Sequence, residues 1–98
     1  MIWVKVYTTY GEVLLAACDE YLIGKKFEEG ELQLEVSESF YGGQKVTPEL
    51  FRKQLKIATI ANLVGQDVIK IAQELGMIDD DCVLKIRGVP HAQIAKMI

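Results

Sequence analysis

An α+β fold is expected: a small antiparallel or mixed sheet of about four strands packed against two helices, in one globular domain over residues 1–98. Three observations predict it. Strand patterns fill the first third of the chain, and amphipathic helical patterns follow Thr47. Half of the 98 residues are hydrophobic, enough for a core, although a chain this short sits near the small end of self-sufficient domains. No repeat, linker or low-complexity segment divides it.

The elements follow in order. Ile2, Val4 and Val6 alternate with Trp3, Lys5 and Tyr7, the period of two that marks a half-buried strand. Tyr10-Gly11-Glu12 is a turn signal, and Val13 to Cys18 reads as a second strand, buried on both faces and paired with the first in a hairpin. Asp19 is placed to cap a short helical turn, Glu20 to Ile23, that Gly24 ends. Leu32, Leu34 and Val36 alternate with Glu31, Gln33 and Glu35, giving a third strand with one wet face. Ser37 to Val46 reads as a loop. Thr47-Pro48-Glu49 is a helix start: a hydroxyl N-cap, proline at the first helical position and a carboxylate near the positive dipole end.

On that helix Leu50, Phe51, Leu55, Ile57, Ala58 and Ala61 share one broad arc, with Gln54 inside it and Arg52, Lys53 and Lys56 opposite. Val64, Val68, Ile69, Ile71, Ala72 and Leu75 form the apolar face of the next segment, which Gly76 closes. Asn62 as a second N-cap and Gly65 as a weak helix former split the region into two helices. Asp79-Asp80-Asp81 is a loop, and Cys82 to Ile86 a short strand. Gly88-Val89-Pro90 turns the chain into His91 to Ile98, whose type the pattern leaves open.

Composition excludes several functions. Fourteen acids against eleven bases give a net charge of −3, which disfavours bulk attraction to long duplex DNA. The charge is uneven: residues 1–49 hold four bases and nine acids, residues 50–98 seven bases and five acids, so the surface is dipolar. The longest clean apolar run, Val13 to Cys18, is six residues, against about 18 for a membrane span. The N-terminus shows no secretory pattern, and a cytoplasmic location is expected. Cys18 and Cys82 fit neither a disulfide framework nor a zinc motif; both read as small core residues. No cofactor or metal is expected, because no phosphate loop, dinucleotide fingerprint, nucleophile elbow or calcium loop occurs.

The candidate chemistry rests on four segments. His91 is the single histidine, the side chain that titrates near neutral pH, with Gln93 two positions on. It serves either as a general base or ligand donor, or as a partly buried ring bonded to backbone. Phe40-Tyr41-Gly42-Gly43 puts two aromatics before paired glycines whose amides suit an anion and whose rings suit a base; simple turn chemistry is the plainer alternative. Cys18 and Asp19 end a buried strand and form a conceivable nucleophile and helper for His91. Asn62 marks the helix junction.

Cys18-Asp19-Glu20 with Leu22 and Gly24-Lys25, Phe40-Tyr41-Gly42-Gly43, Ala61-Asn62-Leu63-Val64-Gly65 and Gly88-Val89-Pro90-His91-Ala92-Gln93 occur here in that order. Together they resemble an archaeal family known as domain of unknown function four-two-four, over nearly the whole chain. The resemblance implies an intracellular archaeal protein with a loose tie to translation and RNA, and supplies no reaction.

A binding module for RNA or a ribonucleoprotein is therefore the leading expectation. Phe40, Tyr41, Gly42 and Gly43 would contact a base or phosphate, with Asn62, His91 and Gln93 as polar readers. Arg52, Lys53 and Lys56 would supply phosphate attraction. The alternatives are a small enzyme using His91 with Cys18 and Asp19, and a homo-oligomeric interaction protein. All depend on distant segments meeting around His91.

Overall fold

In the computed structural model, which describes residues 1–96, the chain forms the expected α+β domain, with more strands than the sequence pattern suggests. β1 (Ile2–Thr9) and β2 (Glu12–Asp19) make the expected hairpin. Tyr10 and Gly11 join them at φ of 47° and 80°, and two successive positive φ values make the turn whose twist matches paired strands. After a 3-10 turn, Glu20–Leu22, come β3 (Lys26–Glu29) and β4 (Leu32–Glu35), paired as a separate small sheet.

α1 (Glu38–Tyr41) is a single turn whose N-cap, Ser37, accepts the Phe40 amide through Oγ. β5 (Gln44–Val46), α2 (Pro48–Ile57), β6 (Ile60–Val64), α3 (Gln66–Glu74), β7 (Leu84–Ile86) and β8 (Val89–Ala95) complete the order. The main sheet runs β5-β1-β2-β6-β8-β7, and only β2 and β6 pair in parallel. A Cα radius of gyration of 12.6 Å matches the roughly 13 Å of a compact domain this size.

Period two sorts each strand onto two faces. Ile2, Val4, Leu15, Ala17, Ala61, Leu63, Ala92 and Ile94 face α2 and α3, whose Phe51, Leu55, Val68 and Ala72 close the larger core. Trp3, Cys18, Val64 and Ile86 face the other way, toward Leu22, Leu34, Val36 and Tyr41. Covering both faces of β2 buries Leu15 through Asp19 in an unbroken run, as a strand in the middle of two layers requires.

Several expectations are corrected. Ile60–Val64 is a central strand, not a helix junction, so Asn62 is no N-cap and Ala61 and Val64 belong to the sheet. The segment is too short between Ala58 and Gly65 for its apparent helical periodicity to be decisive, and its apolar run fills the slot between β2 and β8. The sheet therefore has six strands rather than about four, and α1 makes a third helix inside the supposed loop. Lys26–Glu29 is a strand without a sequence signal, because Phe27 alone carries its apolar face.

The C-terminal stretch is strand to Ala95; Met97 and Ile98 lie outside the described residues. Cys82 ends a 3-10 turn and is exposed, not core, and β7 starts only at Leu84. Ile57 is 71% exposed, at the last turn of α2 beyond the edge of the core. Gln54 keeps a buried Oε1 without a hydrogen-bond partner among the described residues. Asp19 makes no side-chain cap on the 3-10 turn beside it.

Asp19 caps a different helix. Its Oδ1 and Oδ2 accept the amides of Val68 and Asp67, each at 3.0 Å, at the N-terminus of α3. The residue is 1% exposed. Burial raises its carboxyl above the ordinary aspartate range, while the two amide donors pull the other way. Gly65, at φ 120°, lets α3 start this close: a Cβ there would overlap the Asp19 carboxyl carbon.

Candidate functional site

The face of the sheet turned away from α2 and α3 carries the polar residues. Alternation puts Trp3, Lys5 and Tyr7 of β1 on it, with Ala16 and Cys18 of β2, Asn62 and Val64 of β6, and His91 and Gln93 of β8. Register then sets neighbours: Lys5 beside Ala16, Ala16 beside Asn62, Asn62 beside Gln93. One step along, Trp3, Cys18, Val64 and His91 form the adjacent row. α1 lies over the β1 and β2 end of this surface.

Asn62 is the hub. Its Oδ1 accepts from Tyr41 Oη at 3.1 Å and lies 3.0 Å from His91 Nε2. An oxygen cannot donate, so in this arrangement Nε2 carries the imidazole proton and Nδ1 keeps its lone pair. Burial lowers the His91 pKa and pushes the Tyr41 phenol up to about 12, the Cys18 thiol beside it adding to the latter. The chain of three groups is thus neutral at pH 7.

His91 leads to a stability prediction. In the unfolded chain an imidazole titrates near ~6.5, and in the folded state lower. Below ~6.5 the unfolded state therefore binds more protons, so stability falls as the pH drops through that window. Between pH 7.5 and 5.5 the urea midpoint of the wild type should fall relative to that of His91→Gln, a difference that isolates the ring from the opposing contribution of the raised Asp19 carboxyl, which both proteins share. Parallel curves would show that the ring is not buried in its neutral form.

Aromatic groups border the hub. Tyr7 and Phe40 stack with centroids 5.4 Å apart, Phe40 meets Tyr41 edge-on at 4.9 Å, and Tyr7 Oη donates to Phe40 O at 2.9 Å. Lys5 Nζ lies 5.5 Å from the Tyr7 ring centre and donates to Ser39 O at 2.9 Å; Lys45 Nζ stands 5.6 Å from the Trp3 ring. Lys5, Tyr7, Trp3 and Lys45 join the site beyond the residues that the sequence singles out. Their one signal is the alternating set Trp3, Lys5, Tyr7, which periodicity alone reads as one face of a half-buried strand.

The structure brings together Phe40, Tyr41, Asn62, His91 and, by register, Gln93. Gly42 and Gly43 are close by but serve packing. A Cβ on either would meet backbone oxygen, of Glu38 and Val4 respectively, at 2.5 Å. Their amides donate to Glu38 O and Tyr41 O, so neither is open to an anion.

Arg52, Lys53 and Lys56 are elsewhere. They ride on α2, across the sheet from His91, and Arg52 is paired with Glu74. Asp19 likewise turns its carboxylate toward α3, on the opposite face from Cys18. Cys18 is fully buried, and burial, with Asp19 adding to it, pushes its thiol up to about 12. It stands two strands from His91, a backbone separation of ~9.5 Å. These positions give no nucleophile and base within hydrogen-bond reach.

Comparison with known proteins adds fold evidence. The profile of a family described as "Protein of unknown function (DUF424)" matches residues 7–97. A crystal structure of an uncharacterised conserved protein from Methanopyrus kandleri is similar at a TM-score of 0.77 and 25% identity, covering 99% of this chain and 94% of that one. No curated protein matches the chain. No helix among the described residues is long and apolar enough to cross a membrane.

Proposed function

Since the chain belongs to the DUF424 family, whose description assigns no activity, we propose from the geometry that it is a non-enzymatic module binding a short single-stranded RNA segment at the uncovered margin of the sheet face turned away from α2 and α3. One observation supports this reading above the others. A polar cluster, Asn62, His91 and exposed Gln93, is joined through Tyr41 to the Tyr7–Phe40 stack, with the Lys5 ammonium beside the Tyr7 ring. Single-stranded RNA is read by such surfaces: bases lie on rings, their edges meet amide and imidazole groups, and nearby lysines meet phosphate.

The net charge of −3 restricts the ligand to a short strand, since the cations near the site are Lys5 and Lys45 rather than a basic stripe. Arg52, Lys53 and Lys56 take no part, because the sheet separates them from the polar cluster. An enzyme built on His91, Cys18 and Asp19 has the geometry against it: a buried thiol held protonated and a carboxylate on the other face.

Fluorescence anisotropy with a labelled single-stranded oligoribonucleotide, titrated across a salt series, tests the proposal. Binding should weaken with rising salt. Gln93→Ala and Lys5→Gln should each lower affinity by about three- to tenfold, a typical loss for one polar or phosphate contact. The paired change Lys53→Gln and Lys56→Gln should leave it unchanged. Absence of binding at the lowest salt, or an equal loss from the α2 pair, overturns the reading.

A further inference from the structure

α3 covers β2, β6 and β8 but stops short of the edge strand β7, which leaves a cleft of ≈ 500 Å³ between helix and edge, on the opposite face from His91. That volume lies within the roughly 300–1,000 Å³ of small-molecule sites. Its apolar lining is Ile69 from the helix, Val83 from the segment entering β7, and Pro90, which pairs with Lys85 across β7 and β8.

Its polar groups are divided by charge. Gln73 donates from Nε2 to Asp80 Oδ1 at 2.6 Å, which holds the carboxylate and leaves Asp80 Oδ2 and Gln73 Oε1 as acceptors. Lys85, also lining the cleft, supplies a cation. Among the described residues neither Asp80 nor Lys85 joins an ion pair. An acceptor pair and an ammonium line one cleft together with a smaller apolar patch, which complements a small molecule carrying both charges beside an apolar group.

We propose that this cleft binds an α-amino acid with an apolar side chain. Its ammonium meets Asp80 and Gln73, its carboxylate meets Lys85, and its side chain lies on Ile69, Val83 and Pro90. The site is separate from the sheet face and stands or falls independently of RNA binding.

Amide chemical-shift titration with L-leucine, leucinamide and N-acetylleucine is the test. Leucine should produce saturable shifts at Ile69 and through Val83–Gly88 at millimolar concentration, and each blocked analogue should bind about tenfold more weakly, the cost of one charged contact. Lys85→Gln should erase the difference between leucine and its amide, and Asp80→Asn the difference between leucine and its acetyl derivative. Both residues are exposed, so the fold should survive, as circular dichroism will verify. Absence of saturable shifts at ~10 mM, shifts confined to the His91 face, or unchanged discrimination in both variants overturns the proposal.

Discussion

Gly65→Ala is expected to destabilise the domain by at least about 3 kcal/mol, enough to lower the melting temperature by roughly 12–24 °C in a chain of this size. Two costs combine. At φ 120° an L side chain is strained, and the new Cβ would stand within 2.6 Å of all three Asp19 carboxyl atoms. The carboxylate cannot simply retreat, because Asp67 and Val68 amides depend on it.

Asp19→Ala should cost about 2–4 kcal/mol by leaving those donors without an acceptor. It also removes the atoms that the methyl group added at position 65 would strike. The double variant should therefore be less destabilised than the sum of the singles. Urea denaturation of the four proteins measures this coupling. Asp19→Asn, which keeps Oδ1 but replaces an acceptor by a donor, gives a milder member of the series should Gly65→Ala not fold. Additive losses would show that the glycine and the carboxylate act separately.

Asn62→Ala is expected to cost about 1–3 kcal/mol, because the Tyr41 phenol, 4% exposed, would keep a donor with no acceptor. Tyr41→Phe should restore part of that loss in the Asn62→Ala background, since the orphaned hydroxyl goes with it. A second outcome separates hub from spacer. In Asn62→Asp the new carboxylate faces His91 Nε2, so an imidazole whose pKa burial lowers should titrate above its wild-type value. Proton NMR of the His91 ring reads that shift directly. An unmoved titration in Asn62→Asp would show that the two side chains do not share a proton-bearing contact.

Much of this is legible in the chain. The first hairpin, the Thr47-Pro48 helix start and the apolar face of α3 follow from local rules, because each signal lies within one or two turns or strand steps. Asn62 joins Tyr41 and His91 by hydrogen bonds, but not for the reason its neighbours suggest. Its pattern is that of a helix cap, yet it is a strand residue with its amide on the polar face, and a five-residue segment with four apolar residues carries too little periodicity to separate the two. Asp19 shows the reverse. Its capping chemistry is evident, while the helix it serves begins 47 positions further along.

Sequence alone determined the α+β class, the presence of both long helices, the opening hairpin and the alternation that gives β1 and β4 two unlike sides. Which of those sides meet was decided by the sheet order β5-β1-β2-β6-β8-β7. That order brings Tyr41, Asn62 and His91 into hydrogen-bond contact and carries Arg52, Lys53 and Lys56 to the far side. The physical reason is range. Propensity, capping and turn chemistry act between near neighbours, whereas strand pairing joins residues dozens of positions apart and depends on how all the apolar faces are buried at once.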